Sequence, residues 1–99
     1  MSMRKKTLEK ALDTYGIEMQ QVVAMEEMAE LQKEIAKNLR GQGNREHMAE
    51  EIADVRIMLE QLAIAFEIQE ETDKWVSRKM QRLELRLQSD VKAEAITNK

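Results

Sequence analysis

Residues that interrupt helices are scarce in this chain. It contains no proline, and its three glycines stand at only two places, at residue 16 and within residues 41–43. The rest is dominated by Ala, Glu, Lys, Leu, Met, Gln and Arg, which is the composition of long helices rather than of sheets. The sequence therefore predicts an all-α fold with no strands.

The spacing of apolar residues places the helices. A first helix is expected over 3–14, ending at Tyr15–Gly16, and a second over 17–40, with apolar residues at three- and four-residue steps. After a turn at 41–44, Asn44 is a good N-cap for a third helix running to about residue 66. The segment 66–68 is ambiguous: a break there would begin a fourth helix, and a continuous third helix is the alternative. After residue 88 the apolar stripe is lost, so we predict one domain over 1–88 and a polar C-terminal tail over 89–99.

Length and charge exclude several functions. A chain of 99 residues buries only a marginal core, which favours self-association. Its net charge of -3, with both signs mixed along the chain, is unlike the basic surface that polymeric nucleic acid requires. There is no cysteine, so zinc–thiolate sites and thiol nucleophiles are excluded. No apolar run is long enough for a signal peptide or membrane span, and we expect a soluble, cytoplasmic protein.

A pair of acidic turns is the most informative pattern. The second and third predicted helices each contain two adjacent glutamates followed, three residues later, by another acid: Glu26-Glu27-Met28-Ala29-Glu30 and Glu50-Glu51-Ile52-Ala53-Asp54. Residues three apart share a helix face, so Glu27 points with Glu30, and Glu51 points with Asp54. Glu51 and Asp54 border the apolar stripe of the third helix, which predicts that they lie at the edge of the core.

Crowded carboxylates at such an edge need compensation. Like charges three residues apart repel, and their partial removal from water adds a further cost. Protonation, pairing with Lys33, Lys37 or Arg56, or a bound cation would relieve it, and hard oxygen ligands from two helices suit Mg²⁺ or Mn²⁺. The alternative is that the acids are ordinary helix formers on a solvated face.

The two turns meet only if the second and third helices are antiparallel. Glu27 and Glu30 lie roughly 14 to 17 residues before Asn44, whereas Glu51 and Asp54 lie only about 7 to 10 after it. At about 1.5 Å per helical residue the mismatch is about 10 Å. A second helix that ended near residue 36, followed by an irregular loop to Asn44, would absorb this mismatch.

The two motifs together resemble those of the MazG-like nucleoside triphosphate pyrophosphohydrolases, an all-α group that includes dimeric dUTPases and dCTP pyrophosphatases. The resemblance covers roughly residues 12–87 and is closest to short stand-alone members rather than to the two-domain MazG. It implies a four-helix bundle completed as a homodimer or homotetramer, with active sites that use residues from neighbouring chains. It also implies hydrolysis of a nucleoside triphosphate between the α and β phosphates, giving a nucleoside monophosphate and pyrophosphate.

The resemblance also implies roles for individual residues. The metal ligands for Mg²⁺, or Mn²⁺, would be the four motif acids Glu27, Glu30, Glu51 and Asp54. Glu26 or Glu50 would accept a proton from the attacking water or support a ligand. Lys79 and Arg82 stand three apart on the last predicted helix and could bind phosphate, although solvated surface cations are the simpler interpretation of that pair.

Two other functions remain open from the sequence. One is a non-enzymatic helical oligomerisation or interaction module, whose charged faces only keep it in solution or bind a partner helix; it predicts no dependence on metal. The other is an enzyme similar to the phosphoribosyl-ATP pyrophosphohydrolases, which share the fold and keep a metal site but act on a different substrate.

Overall fold

The structure, a computed structural model, describes residues 2–97. Its four helices are α1 (Met3–Tyr15), α2 (Ile17–Leu39), α3 (Arg45–Ala65) and α4 (Gln69–Thr97). The described residues include no strand, so the predicted all-α fold with four helices is confirmed.

Glycine sets the boundary between α1 and α2, as the sequence predicts. Gly16 adopts φ +89°, a conformation that side-chain-bearing residues rarely adopt, and its N–H donates to the Leu12 carbonyl at 2.8 Å. The next helix begins at once, and the Gly16 carbonyl accepts from the Gln20 N–H. One residue therefore separates two helices and turns the chain.

A five-residue loop, 40–44, joins α2 to α3. Gly41 has φ +77°, and the Gln42 N–H donates to the Lys37 carbonyl at 2.9 Å, which closes the end of α2. Asn44 caps α3 as predicted, since its Oδ1 accepts from the His47 N–H at 3.0 Å. α2 ends at Leu39, one residue before the predicted end at residue 40, so it does not stop near residue 36.

The ambiguous segment 66–68 is a helix break. Glu67 has φ +55°, in the left-handed region, and the Ile68 N–H donates to the Ala63 carbonyl at 3.0 Å. This hydrogen bond is the one that closes a helix when the residue after the cap is left-handed. The break separates α3 from α4 and excludes the continuous third helix.

The described residues up to Ile68 form one compact unit, in which α2 packs along α3 and α1 contacts both. Its buried apolar side chains are Leu8, Ala24 and Met58. Gln61, only 2% exposed, donates from Nε2 to the Leu8 carbonyl at 3.3 Å and so ties α3 to α1. The small number of buried side chains agrees with the marginal core expected from the chain length.

The described residues from Gln69 on form a second compact unit, which consists of α4. This helix continues through Thr97, so the described part of the predicted polar tail is helical. Loss of an apolar stripe does not end a helix when neither glycine nor proline follows, and residues 89–97 include the good helix formers Ala, Lys and Glu. The predicted domain over 1–88 stays a prediction. None of the described helices is both long and apolar enough to cross a lipid bilayer.

Candidate metal centre

Three of the predicted carboxylates meet between α2 and α3. Glu27 from α2 and Glu51 and Asp54 from α3 each offer an oxygen, and these oxygens all lie within 4.8 Å of one another. All three side chains are half-buried. Each acidic turn therefore contributes at least one carboxylate to the cluster.

The position of the loop explains why the helices bring these acids together. Glu30 precedes the last residue of α2, Leu39, by nine positions, and Asp54 follows the first residue of α3, Arg45, by nine. The loop residues 40–44 belong to neither helix and add nothing to the helical length. Measured from the ends of the two helices, the centres of the acidic turns differ by three residues, or about 5 Å. The expected mismatch was about 10 Å.

Burial and neighbouring carboxylates raise the pKa of two groups in the cluster. Burial raises the pKa of the Glu27 carboxyl, and the charges of Asp54 and Glu51 raise it further. Burial likewise raises the pKa of Glu51, followed by the charges of Asp54 and Glu30. In both groups every contribution disfavours the ionised form. A proton or a cation would relieve the repulsion.

One carboxylate oxygen of Glu51 has no hydrogen-bond partner among the described residues. Glu51 Oε2 is buried and accepts no hydrogen bond from any described residue. A buried carboxylate oxygen without a donor has lost its hydration, and no protein hydrogen bond replaces it, so it destabilises the fold. The donor set around it consists of carboxylates, with no nitrogen or sulfur ligand, and hard oxygen donors of this kind suit Mg²⁺ or Mn²⁺. The residues present therefore fit a hard divalent cation.

The other predicted acids lie at the margin of the cluster. Glu30 is exposed and outside the three-residue group, but its charge contributes to the raised pKa of both Glu27 and Glu51. Glu26 and Glu50 are exposed, and the charge of Glu50 also raises the pKa of Glu51. The roles of these three residues stay predictions.

The predicted phosphate-binding cations are on the other unit. Lys79 and Arg82 lie on α4, where both are exposed. The Lys79 ammonium is 5.9 Å from the centroid of the Trp75 ring, and the Arg78 guanidinium lies 5.3 Å from the same centroid. These contacts are within α4 itself, so the role of Lys79 and Arg82 at a phosphate stays a prediction.

Glu34 is a functional candidate that the sequence analysis missed. It is only 8% exposed, its Oε1 accepts from the Lys37 ammonium at 3.4 Å, and its charge contributes to the raised pKa of Glu51. The sequence contains a signal for it, because positions 27, 30 and 34 follow one helix face at steps of three and four. Glu34 extends the acidic face of α2 by one turn and brings a lysine to it.

Comparison with family models, with curated proteins and with solved structures gives no match to this chain. The resemblance to the MazG-like enzymes therefore rests on the two acidic motifs.

Proposed function

We propose that this chain is a metal-dependent nucleoside triphosphate pyrophosphohydrolase, which cleaves the α–β phosphoanhydride to give a nucleoside monophosphate and pyrophosphate. The observation that carries the proposal is the convergence of Glu27, Glu51 and Asp54, with the buried Oε2 of Glu51 left without a hydrogen bond.

The three converging acids would hold Mg²⁺, with Mn²⁺ as the alternative, and Glu30 would complete or support the ligand set from the exposed side. The ion, when bound, supplies positive charge to the phosphate oxygens and lowers the pKa of a water molecule. The protein contributes the fixed geometry, because the ligands belong to α2 and α3, away from the helix ends, rather than to loops.

A carboxylate is also needed to accept the proton of the attacking water. Glu26 and Glu50 are suited to this role because each is exposed and each directly precedes a residue of the cluster. An exposed carboxylate is free to reorient toward a bound substrate. Comparison of Glu26→Gln with Glu50→Gln distinguishes them, since only the variant that loses the base should lower kcat with little change in metal affinity.

The polyphosphate would also need cations from the protein. Lys79 and Arg82 remain the predicted pair on α4. Lys37 is a cation in the same unit as the cluster. Its ion pair with Glu34 holds it about one helical turn beyond the acidic face of α2. We further propose that the substrate is a free nucleotide rather than a nucleic acid, and that the protein acts in the cytoplasm as a homodimer or homotetramer.

The test is product analysis with a panel of canonical and modified nucleoside triphosphates, with and without Mg²⁺. The expected products are a nucleoside monophosphate and pyrophosphate, formed only with metal. Glu51→Gln and Asp54→Asn should lower the rate by about 100-fold or more, while Glu46→Gln, an exposed control on α3, should not. Release of inorganic phosphate, or no turnover on any nucleotide, would contradict the proposal. Phosphoribosyl-ATP in the same panel tests the related alternative.

A further inference from the structure

The apolar stripe of α4 is unusually accessible. Every α4 residue from 69 to 95 is exposed. The stripe consists of five side chains between 43% and 60% exposed: Val76, Met80, Leu83, Leu87 and Val91. A helix in water takes most of its stability from packing its apolar face, and α4 spans 29 residues. The stripe is therefore expected to be covered in the working protein.

The spacing within the stripe indicates what covers it. Val76, Met80, Leu83 and Leu87 follow steps of four, three and four, a spacing that amphipathic helices share and that suits the core positions of a two-stranded coiled coil. Acidic residues, Asp73 and Asp90, occupy the next core positions on either side. Because charged side chains are poorly tolerated in such a core, paired contact is confined to residues 76–87.

We propose that α4 pairs in parallel with α4 of a second copy of this chain through residues 76–87. In this register Lys79 stands on one flank of the core and Glu84, five residues later, stands on the other. A parallel pair places Lys79 of each copy against the partner's Glu84, which gives two contacts of opposite charge.

An antiparallel pair is disfavoured by the same charges. In an antiparallel pair the same side of each helix would face the same side of its partner. Lys79 would then lie against the partner's Arg86 at two places, and this repulsion between like charges disfavours the antiparallel arrangement. The charge pattern beside the stripe therefore selects both a second copy as the occupant and the direction in which it binds. This inference concerns α4 alone and does not depend on the metal centre.

Cysteine cross-linking tests the proposal directly, because the chain contains no cysteine and each variant reports one position. In a parallel pair, equivalent core positions lie within the Cα separation that a disulfide accepts, about 4.4 to 6.8 Å. Val76→Cys alone should therefore form a covalent dimer under mild oxidation of the full-length protein. Leu85→Cys, which is exposed but off the stripe, should remain monomeric on a reducing-agent-free gel.

Other outcomes would overturn the proposal. A covalent dimer that forms only when Val76→Cys is mixed with Leu87→Cys would show antiparallel pairing. Absence of any cross-link from Val76→Cys would show that the stripe is covered in another way. As a second measurement, Lys79→Glu should weaken dimerisation by about ten-fold, and adding Glu84→Lys should restore it. No response to Lys79→Glu, or no recovery in the double variant, would also count against the proposal.

Discussion

Glu27 on α2 and Asp54 on α3 hold carboxylate oxygens within 4.8 Å of each other. Their hydrogen bond contributes to the raised pKa of Glu27, because a protonated Glu27 can donate to Asp54 whereas two ionised groups only repel. The contact joins helices that could have paired with neutral or opposite charges at this point. This repulsion lowers the stability of the fold, and a bound divalent cation would reverse the effect.

The metal-free protein should become less stable as pH rises through the weakly acidic range. The pKa values of Glu27 and Glu51 are raised above the ordinary value of 4.5, so in this window the folded state binds more protons than the unfolded state. The free energy of unfolding then falls with increasing pH, until both groups are ionised in the folded state. Chemical denaturation at a series of pH values, with chelator present, measures this dependence of the free energy of unfolding on pH. Glu27→Gln should flatten the dependence relative to wild type, and an unchanged slope would contradict the crowding of these charges.

Metal and the Glu51→Gln substitution should have opposite effects on stability. Without metal, Glu51→Gln removes one repelling charge and should raise the melting temperature. With Mg²⁺, wild type gains about 2.7 kcal/mol at a concentration one hundred times Kd, because the ion binds only the folded state. The variant should lose most of that gain, so the order of stability inverts on adding metal. The same order in both conditions would show that the carboxylates do not share an ion.

The contact between Glu34 and Lys37 should appear as a coupling energy. Lys37→Met leaves a buried carboxylate without its partner and should destabilise the protein by about 1 kcal/mol, a modest value because the lysine is partly exposed. In the double variant with Glu34→Gln the two effects should not add. Urea denaturation of the four proteins measures the coupling, and strict additivity would show that the two side chains act independently.

The left-handed residue between α3 and α4 offers a stabilising substitution. Glu67 has φ +55°, a conformation that costs a side-chain-bearing residue about 1–2 kcal/mol and costs glycine almost nothing. Glu67→Gly should therefore raise the free energy of unfolding by about 0.5–1 kcal/mol after the greater chain entropy of glycine is deducted. Glu67→Ala is the matched control and should bring no such gain. A destabilised glycine variant would contradict the helix break at this position.

Most of the fold could be predicted because local signals and tertiary packing agree. Gly16 and Asn44 mark helix ends through backbone conformation and capping, which depend on neighbouring residues only. The break at Glu67 has no such marker: a glutamate holds a position that usually selects glycine, so the sequence left two alternatives. The end of α4 was misplaced for a related reason, since an apolar stripe reports packing rather than helix length.

The candidate site was predictable in part. The spacing of the acidic motifs identified Glu27, Glu51 and Asp54, because a helix face is fixed by sequence separation. It could not show that Glu30 would be exposed while Glu34, one turn later, would be buried, since that depends on how α2 rotates against α3. The distance between the motifs was misjudged because residues of the loop were counted as helix.

Anomalous diffraction tests the central claim most directly. Crystals grown with Mn²⁺, measured at the manganese absorption edge, should show a strong anomalous peak bounded by the carboxylates of Glu27, Glu51 and Asp54. The same data from Asp54→Asn crystals should show the peak weakened or lost. Ordered carboxylates around a position with no anomalous signal, at millimolar Mn²⁺ and neutral pH, would contradict the account.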